Sequence, residues 1–288
     1  MSKSVVLWMG AGQIGMAIAR RIGYGRKIVV ADKRPENAEA MAKIMTDAGF
    51  DCEWMQADLA SRASIREFIA KGQSFGGIDY LVNAAGVSPS QASIETILQV
   101  DLYGTAVLLE EVGKVIAPGG AGVTISSQSG KRMPQLTVEQ DRQLATTPCD
   151  ELLDLALLQP ENVRDTLHAY QLAKRCNEKR VMFELFAGDS VARASTRLAR
   201  ASLSRRLPSM SSTARAATST RICLRSVRRR PGTADEVGAL AELVMGPAGA
   251  FVTGSDFLID GGATASYFYG PLQPDYRNKI RCARKAPW

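Results

Sequence analysis

The sequence predicts an α/β fold in which a doubly wound parallel sheet is covered by helices on both faces. Short apolar runs such as "SVVLWM", Ser4 to Met9, alternate along the chain with longer segments of helical composition. Runs that are apolar throughout are typical of strands buried on both faces, and such strands belong to parallel sheets. With 288 residues, the chain is long enough to build one domain of this kind around a large core.

The first half of the chain alternates strand and helix without interruption. The expected strands cover residues 4–9, 28–31, 52–58, 78–86 and 122–127. The expected helices between them cover residues 16–23, 38–49, 64–72 and 93–116. Only Gly104 breaks the helical composition of the last segment. Each helix then serves as the crossover that joins two parallel strands.

Residues 134–160 interrupt this alternation. Within them, Thr137 and Gln140 form the capping-box pattern that begins a helix, and Thr147 marks the start of a second short helix. We therefore expect a small helical insertion over residues 131–165 in an otherwise regular fold.

The remainder of the chain returns to the α/β pattern. We expect a helix over residues 169–187, a second helix over 234–246 and a strand over 254–260. Together with the first half, these elements predict a single domain over residues 1–265 that is followed by a C-terminal tail over residues 266–288.

Composition predicts a cytoplasmic chain. The start "MSKSVVLWMGAGQIG" has a short apolar run but neither the long hydrophobic region nor the cleavage site of a signal peptide. No window approaches the roughly 18 uninterrupted apolar residues of a membrane-spanning helix. The five cysteines are odd in number, widely spaced and never arranged as CxxC, so we expect neither a disulfide framework nor a zinc site.

A glycine-rich turn, "GAGQIG", joins the first strand to the first helix, and Asp32 ends the next strand. Glycines let the main chain approach a pyrophosphate, the helix N-terminus supplies donors, and a carboxylate in the position of Asp32 accepts from a ribose 2′-hydroxyl. This pattern predicts a Rossmann-like, dinucleotide-binding domain.

Three further motifs follow the strands in order. "NAAG", Asn83 to Gly86, ends the fourth strand, Ser127 in "ISSQSG" ends the fifth, and "YQLAK" places Tyr170 and Lys174 one helical turn apart. With the glycine-rich turn and the closing "GSDFLIDGG", this order resembles the short-chain dehydrogenase/reductase family. The resemblance begins at Ser4 and is broken only between Asp189 and about residue 232.

The resemblance implies an oxidoreductase that transfers hydride between a nicotinamide and a small alcohol or ketone, as a homodimer or homotetramer. By it, Tyr170 exchanges a proton with the substrate oxygen, Lys174 also holds the nicotinamide ribose, and Ser127 hydrogen-bonds the carbonyl. Independently, an ammonium one turn away from a phenol favours the phenolate, which suits a general acid/base. The expected cofactor-binding residues, besides Tyr170 and Lys174, are Gly10, Gly12, Gln13, Ile14, Gly15, Asp32, Asp58, Leu59, Asn83, Ala84, Ala85 and Gly86.

The chain departs from the family pattern in three places. The glycine spacing is nearer to the generic dinucleotide fingerprint. Asp101 stands where the family usually has the asparagine of a proton relay; we keep Asp101 among the catalytic residues because a carboxylate can hold a water, although it lacks the amide donor. The insertion is similar to one in bacterial hydroxysteroid dehydrogenase/carbonyl reductases, where it shapes the substrate entrance or blocks a helix–helix interface.

Cofactor choice depends on the residues after the second strand. Asp32 favours NAD, because its charge would repel the 2′-phosphate of NADP. Lys33 and Arg34 follow it, and their charges leave NADP as the less favoured alternative. His168 is the one histidine of the chain, so we expect it to be a helix-start residue rather than a member of a catalytic triad or metal site.

The stretch from Val191 to Arg230 has eleven arginines and no acidic residue, whereas the net charge of the whole chain is +7, so the rest of the chain carries a net −4. An arginine-rich arm for RNA or DNA is one interpretation. The stretch has no aromatic residue for stacking on bases and no recognised module, so we consider nucleic acid an improbable partner.

A shift of reading frame is the interpretation we prefer for this stretch. Codons compatible with Arg193 to Arg206, read from the third base of Arg193, can spell R-V-N-S-x-S-P-G-I-V-V-T-P, the motif that the family has at this place. We then expect no inner strand beside the strand that ends at Ser127. A damaged segment and Asp101 also leave a second functional class open, a redox-sensing protein that binds the dinucleotide without turnover.

Overall fold

The computed structural model describes residues 3–184, 197–205 and 232–273. Seven strands form one sheet: β1 (Lys3–Met9), β2 (Lys27–Asp32), β3 (Asp51–Gln56), β4 (Gly76–Asn83), β5 (Ile116–Ser126), β6 (Arg197–Arg205) and β7 (Ser255–Ile259). The α-helices are α1 (Gln13–Ile22), α2 (Pro35–Asp47), α3 (Arg62–Gln73), α4 (Ile94–Ile97), α5 (Thr105–Gly113), α6 (Gln128–Lys131), α7 (Val138–Thr146), α8 (Thr166–Phe183), α9 (Ala234–Met245) and α10 (Ala263–Tyr269). No helix within these ranges is long and apolar enough to cross a membrane.

All neighbouring strands are parallel, in the order β3-β2-β1-β4-β5-β6-β7. The chain leaves β1 in one direction to build β2 and β3, and then returns to build the other strands outward from β4. The predicted doubly wound sheet is confirmed. In such sheets ligands bind beyond the carboxyl ends of the strands where the order reverses, which here is between β1 and β4.

The core lies on both faces of the sheet because the side chains of a strand alternate. On β1, Val5, Leu7 and Met9 point into one apolar cluster with side chains of α3, α5 and α8. Val6 and Trp8 point into the other, with side chains of α1, α2 and α9. All five side chains are at most 1% exposed, which explains why "SVVLWM" is apolar throughout.

Strand β6 contradicts one expectation. We predicted no inner strand from the arginine-rich stretch, yet Arg197–Arg205 pairs with β5 on one side and β7 on the other. Ladder hydrogen bonds use main-chain groups, which every residue except proline can supply in full, so pairing does not require an apolar pattern. The other parts of the stretch, residues 191–196 and 206–230, lie outside the described residues.

The long helix expected over residues 93–116 is not α-helical in its middle part. A π-helical segment, Leu98–Gly104, separates α4 from α5 and carries Asp101. Such segments are rare and occur frequently at functional sites. The predicted break at Gly104 does not occur, because this glycine keeps helical dihedral angles and lets the helix pack against the Leu59 carbonyl, where a Cβ would overlap.

The strand after this helix is longer than expected. α5 ends at Gly113, so β5 already begins at Ile116 instead of Gly122, and an irregularity in its pairing with β4 accommodates the additional residues. At its other end β5 stops at Ser126, and Ser127 belongs to the following turn. Near the C-terminus, α10 crosses the boundary at residue 265 that we had placed between domain and tail.

The insertion contains the first of its two predicted helices. Thr137 and Gln140 form the expected capping box at the start of α7. The second is a 3₁₀-helix, Cys149–Asp154, instead of an α-helix. Thr147 instead ends α7 through the bond from its N–H to the Gln143 carbonyl, and no side chain caps the 3₁₀-helix, which begins after Pro148.

The insertion is fastened to α8. The Asp141 carboxylate on α7 receives two hydrogen bonds from the Arg175 guanidinium, at 2.5 and 2.8 Å. One turn further along α8, the buried Arg180 donates to the carbonyls of Leu144, at 2.9 Å, and Thr147. These bonds satisfy carbonyls at the C-terminal end of α7, which have no partner within the helix.

Candidate active site

The glycine-rich turn packs directly on the segment that follows β4. Gly10 has φ +90°, a conformation that favours glycine, and a Cβ there would overlap the main chain of Ala84 and Ala85. The Ala84 N–H donates to the Met9 carbonyl at 2.8 Å, and the Gly10 N–H to the Ala31 carbonyl at 2.8 Å. Two predicted cofactor-binding segments therefore meet at the carboxyl edge of the sheet.

Trp8 lies beneath this turn, and no pattern in the sequence predicts its contacts. Its indole N–H donates to the Gly10 carbonyl at 2.6 Å, and the side chain is fully buried. Gly15 sits against the indole so closely that a Cβ would overlap the ring nitrogen. Gly12 differs, since a Cβ there would have no heavy atom within 4 Å. The contact of α1 with Trp8 thus requires a glycine at Gly15, whereas Gly12 borders open space.

Asp32 supports the turn as well as ending β2. One of its carboxylate oxygens accepts from the Ala11 N–H at 3.0 Å. The other accepts from the Arg34 N–H at 3.0 Å and faces the Asn37 amide nitrogen at 3.4 Å. The carboxylate is thereby held at the edge of the sheet beside the glycine-rich turn, as the sequence predicted.

Lys33 and Asp58 form an ion pair next to Asp32, with 2.9 Å between the ammonium nitrogen and a carboxylate oxygen. Burial opposes ionisation of Asp58, but the hydrogen bonds from Lys33 and the Ala60 N–H outweigh it and lower the pKa of the carboxyl. The neighbouring Leu59 side chain is buried in the core, so only its main chain is available to a ligand.

The segment after β4 leads to a buried ion pair. The Asn83 side chain faces Thr105 at 3.4 Å and accepts from the Ala85 N–H at 3.3 Å. A Cβ at Gly86 would lie 2.9 Å from a carboxylate oxygen of Asp101 and 3.3 Å from the Lys174 ammonium. Glycine therefore makes room for this pair.

Asp101 and Lys174 approach each other inside the protein. Their charged atoms are 3.4 Å apart, and the side chains are 0% and 5% exposed. One oxygen of Asp101 accepts from the Val87 N–H at 2.8 Å, whereas the oxygen that faces Lys174 has no hydrogen-bond partner among the described residues. Burial raises the pKa of the Asp101 carboxyl, although Lys174 and the Val87 N–H act in the opposite direction.

Lys174 also approaches Tyr170 and β5. Its ammonium nitrogen lies 5.3 Å from the centre of the Tyr170 ring and 3.5 Å from the Ile125 carbonyl oxygen. Burial opposes the charge, but Asp101 and Tyr170 outweigh it, so the pKa of the Lys174 ammonium is above its ordinary value. The structure thus brings the Tyr170 ring and the Lys174 ammonium of the predicted pair together.

Ser127 lies at the start of α6, directly after β5. Its side chain is buried, and its hydroxyl caps α6 by accepting from the Ser129 N–H at 3.2 Å. Ser126 connects this segment to the helix of Tyr170, because its hydroxyl donates to the Lys174 carbonyl at 3.0 Å. Ser127, Tyr170 and Lys174 are therefore on directly connected segments.

Asn177 is a further residue that sequence reasoning missed. In the orientation that suits its surroundings, its amide nitrogen donates to the carbonyls of Asp101, at 3.0 Å, and Ala173, at 3.1 Å. It holds the π-helical segment against α8. The one sequence signal for this role is its place about one turn after "YQLAK".

His168 is in the first turn of α8, where its N–H donates to the capping Asp165, as expected for a helix-start residue.

Comparisons with known proteins agree with this arrangement. A protein-family model described as enoyl-(acyl carrier protein) reductase matches residues 10–138. The short-chain dehydrogenase/reductase bsc3 of Alternaria brassicicola is 35% identical over 275 residues, which cover 92% of this chain and 97% of that protein. The chain belongs to the short-chain dehydrogenase/reductase family. It is accordingly an oxidoreductase of the kind that uses NAD or NADP.

Other short-chain dehydrogenase/reductases are more distant. Carbonyl reductase (NADPH) 1 of Mus musculus is 27% identical over 58% of this chain and 66% of its own length. A short-chain dehydrogenase from Burkholderia cenocepacia, solved in complex with NADP, is 23% identical with a TM-score of 0.66, covering 90% of this chain and 97% of that one. A short-chain dehydrogenase/reductase from Serratia marcescens is 20% identical with a TM-score of 0.65, covering 91% of this chain and 98% of that one. These structures share the fold.

Proposed function

We propose that this short-chain dehydrogenase/reductase transfers hydride between NAD and an alcohol or ketone, with Tyr170 as general acid/base. The observation that carries the proposal is the buried Lys174 ammonium, which lies 5.3 Å from the Tyr170 ring and next to Gly86, in the segment that packs on the glycine-rich turn. An adjacent ammonium stabilises the phenolate, the form that accepts a proton from an alcohol. The proposal is tested by following NADH absorbance with a panel of secondary alcohols and ketones.

Each residue has a separate task in this proposal. The Tyr170 hydroxyl gives a proton to a ketone oxygen, and in the reverse direction the Tyr170 phenolate takes one from an alcohol. A nicotinamide held at the glycine-rich turn would supply or accept the hydride. Ser127 donates a hydrogen bond to the substrate oxygen, for which its hydroxyl hydrogen is free to point because the Ser129 N–H is the donor in their bond. Lys174 holds the ribose and stabilises the phenolate.

The residues of the turn fit a dinucleotide. The first N–H groups of a helix have no intrahelical partner, no side chain caps those of α1, and no acidic residue lies in its first turn. Together with the open space next to Gly12, this leaves a place for a pyrophosphate at the positive end of the helix. Gly10, Gly12, Gln13, Ile14 and Gly15 are the residues that would hold it.

Gly12→Ala and Gly15→Ala should separate binding from stability. We expect Gly15→Ala to lower the free energy of unfolding by about 1–3 kcal/mol, because its methyl group overlaps the buried indole of Trp8. Gly12→Ala should unfold as the wild type does within about 0.5 kcal/mol, but should weaken NAD binding at least tenfold because its methyl group enters the pyrophosphate site. Urea unfolding and NADH fluorescence titrations measure the two effects. Undiminished NAD affinity of Gly12→Ala would contradict the assigned site.

We propose that NAD is preferred over NADP. The Asp32 carboxylate stands where the adenosine ribose is bound in this fold, and it would repel a 2′-phosphate. Lys33 offers little compensation because its ammonium is already paired with Asp58 at 2.9 Å. Arg34 remains the residue that could favour NADP, and the short-chain dehydrogenase from Burkholderia cenocepacia, which shares this fold, was solved with NADP bound.

Asp32→Asn should shift the preference toward NADPH. The amide oxygen can still accept from the Ala11 N–H, so the variant removes charge and leaves the turn supported. We expect the ratio of NADPH to NADH affinity to rise by about tenfold, equivalent to about 1.4 kcal/mol. Asp32→Ala should shift the ratio of NADPH to NADH affinity in the same direction, with weaker binding of both cofactors. Fluorescence titration with both cofactors measures the ratio.

Two matched controls sharpen this test. Lys33→Gln should change NADPH affinity little, because the Lys33 ammonium is already paired with Asp58. Arg34→Gln in the Asp32→Asn background should reverse part of the gain in NADPH affinity. A wild-type protein that binds NADPH more tightly than NADH would refute the preference.

We further propose that residues 1–265 act as one domain and that the chain assembles as a homodimer or homotetramer. The insertion could either shape the substrate entrance or block a helix–helix interface between subunits. Its attachment along α8 supports the second role, because it covers a face of α8 that could otherwise pack against another subunit. Sedimentation of the wild type and of Arg180→Gln, which loosens the insertion, distinguishes this role from one at the substrate entrance.

The reading-frame interpretation of residues 191–230 also stays a proposal. It is supported by the codon argument and by eleven arginines without an acidic residue. Sequencing the coding DNA across codons 190–232 decides it, and restoring R-V-N-S-x-S-P-G tests its effect on activity. Nucleic-acid binding that weakens steeply with salt would instead support an arginine-rich arm.

A further inference from the structure

The Asp101 carboxyl lies 3.4 Å from the Lys174 ammonium at the centre of the site, and this contact bears on how strongly Lys174 can act on Tyr170. Among the described residues, the titratable groups that act on the Lys174 ammonium are Asp101, from the π-helical segment, and Tyr170, from α8 itself. Lys174 is the one charged side chain that acts on Asp101. The strands and the segment after β4 contribute only main-chain groups, from Ile125 and Val87.

The position of Asp101 is fixed independently of Lys174. One carboxylate oxygen is held by the Val87 N–H, and the main chain of Asp101 is held by the Asn177 amide. Gly86 leaves only enough space for the carboxylate and the ammonium. The carboxyl group is therefore held 3.4 Å from the ammonium by contacts other than the one with Lys174.

A carboxylate beside the ammonium weakens the field that the ammonium exerts on a third group. Inside a protein this matters because the low dielectric strengthens charge interactions, and one neighbouring charge at about 4–6 Å shifts a titration by roughly 1–3 pH units.

We propose that Asp101 is a positioning residue that sets the pH range in which the enzyme is active, because its carboxylate offsets part of the field that the Lys174 ammonium exerts on Tyr170. The dehydrogenase direction, which needs the phenolate, then operates at higher pH than with a neutral residue at this position. This inference rests on the proposed general acid/base role of Tyr170, but not on the identity of the substrate.

Asp101→Asn tests the inference. The variant keeps an oxygen that can accept from the Val87 N–H and removes the charge. We expect the pH at which alcohol oxidation reaches half its maximal kcat to fall by about one unit or more. Glu95→Gln, the same chemical change on the exposed surface of α4, should leave the pH profile unmoved. Asp101→Ser removes the charge with a smaller side chain and should shift the profile in the same direction.

A second measurement needs no substrate. Ultraviolet difference titration detects phenolate formation, and subtracting the same titration of the Tyr170→Phe protein isolates Tyr170. In Asp101→Asn the Tyr170 signal should appear at lower pH than in wild type. If both neutral variants titrate as wild type does, the inference is wrong. A shifted phenolate signal without turnover of any alcohol or ketone would instead support the inference and refute the proposed function.

Discussion

We expect Tyr170→Phe to abolish measurable turnover while NADH still binds within a few-fold of wild-type affinity. The substitution removes the hydroxyl that exchanges a proton with the substrate, and such a group contributes roughly 10²–10⁴ to the rate. The ring remains, so the ammonium of Lys174 keeps its contact at 5.3 Å and its place beside the cofactor site. Steady-state kinetics and NADH fluorescence titration separate the two effects, because loss of an interaction made only in the transition state lowers kcat without weakening binding.

The matched control is Tyr80→Phe. Tyr80 lies on β4, where its ring packs under the Arg26 guanidinium at 4.8 Å, and no step of the proposed reaction uses it. Its loss should leave kcat unchanged. Full activity of Tyr170→Phe would overturn the assignment of the general acid/base. A wild-type protein that binds NADH but turns over no alcohol or ketone would favour the redox-sensing, binding-only alternative.

Lys174→Ala should impair turnover, cofactor binding and stability together. It removes the ammonium that holds the ribose and supports Tyr170, and it leaves the Asp101 carboxylate buried without a counter-charge. Breaking a buried ion pair from one side costs about 3–5 kcal/mol. Urea unfolding at neutral pH measures this loss, and NADH titration on the folded fraction measures binding. Lys43→Ala, which removes an exposed lysine from an ion pair with Asp47, should cost at most about 1 kcal/mol.

The pH dependence of this loss has a definite sign. In Lys174→Ala burial still raises the pKa of the Asp101 carboxyl, and the opposing ammonium is gone. A carboxyl with a raised folded-state pKa stabilises the protein below its unfolded-state pKa, and this stability is lost as pH rises through the folded-state value. Lys174→Ala should therefore be closest to wild type in acid and fall behind it as pH increases.

A double variant provides the check. Adding Asp101→Asn to Lys174→Ala removes the uncompensated charge, so part of the lost stability should return and the added pH dependence should disappear. Equal stabilities of Lys174→Ala with and without Asp101→Asn, at every pH, would show that the pair makes no electrostatic contribution to folding.

Local sequence signals were sufficient for most of the scaffold. The continuous apolar run of β1 predicted a strand buried on both faces, because a parallel sheet removes both sets of alternating side chains from water. Thr137 and Gln140 predicted the start of α7, because a capping box satisfies main-chain donors within one turn. The glycine-rich turn, Tyr170 and Lys174 were found in the same way, since each motif lies within a few neighbouring residues.

Tertiary structure alone decided the electrostatics of the site and the places where local patterns misled. Asp101 meets Lys174 because a π-helical segment packs against α8. Burial then raises the pKa of the Asp101 carboxyl, whereas the contacts with Asp101 and Tyr170 outweigh burial and raise the pKa of the Lys174 ammonium. No spacing along the chain encodes that approach. The close contact of Gly15 with Trp8 likewise arises only when α1 folds onto β1. Strand β6 pairs although its side chains show no strand pattern. The physical reason is common to all three: periodicity and caps depend on near neighbours, whereas charge burial, close packing and main-chain pairing depend on segments that meet only in the folded chain.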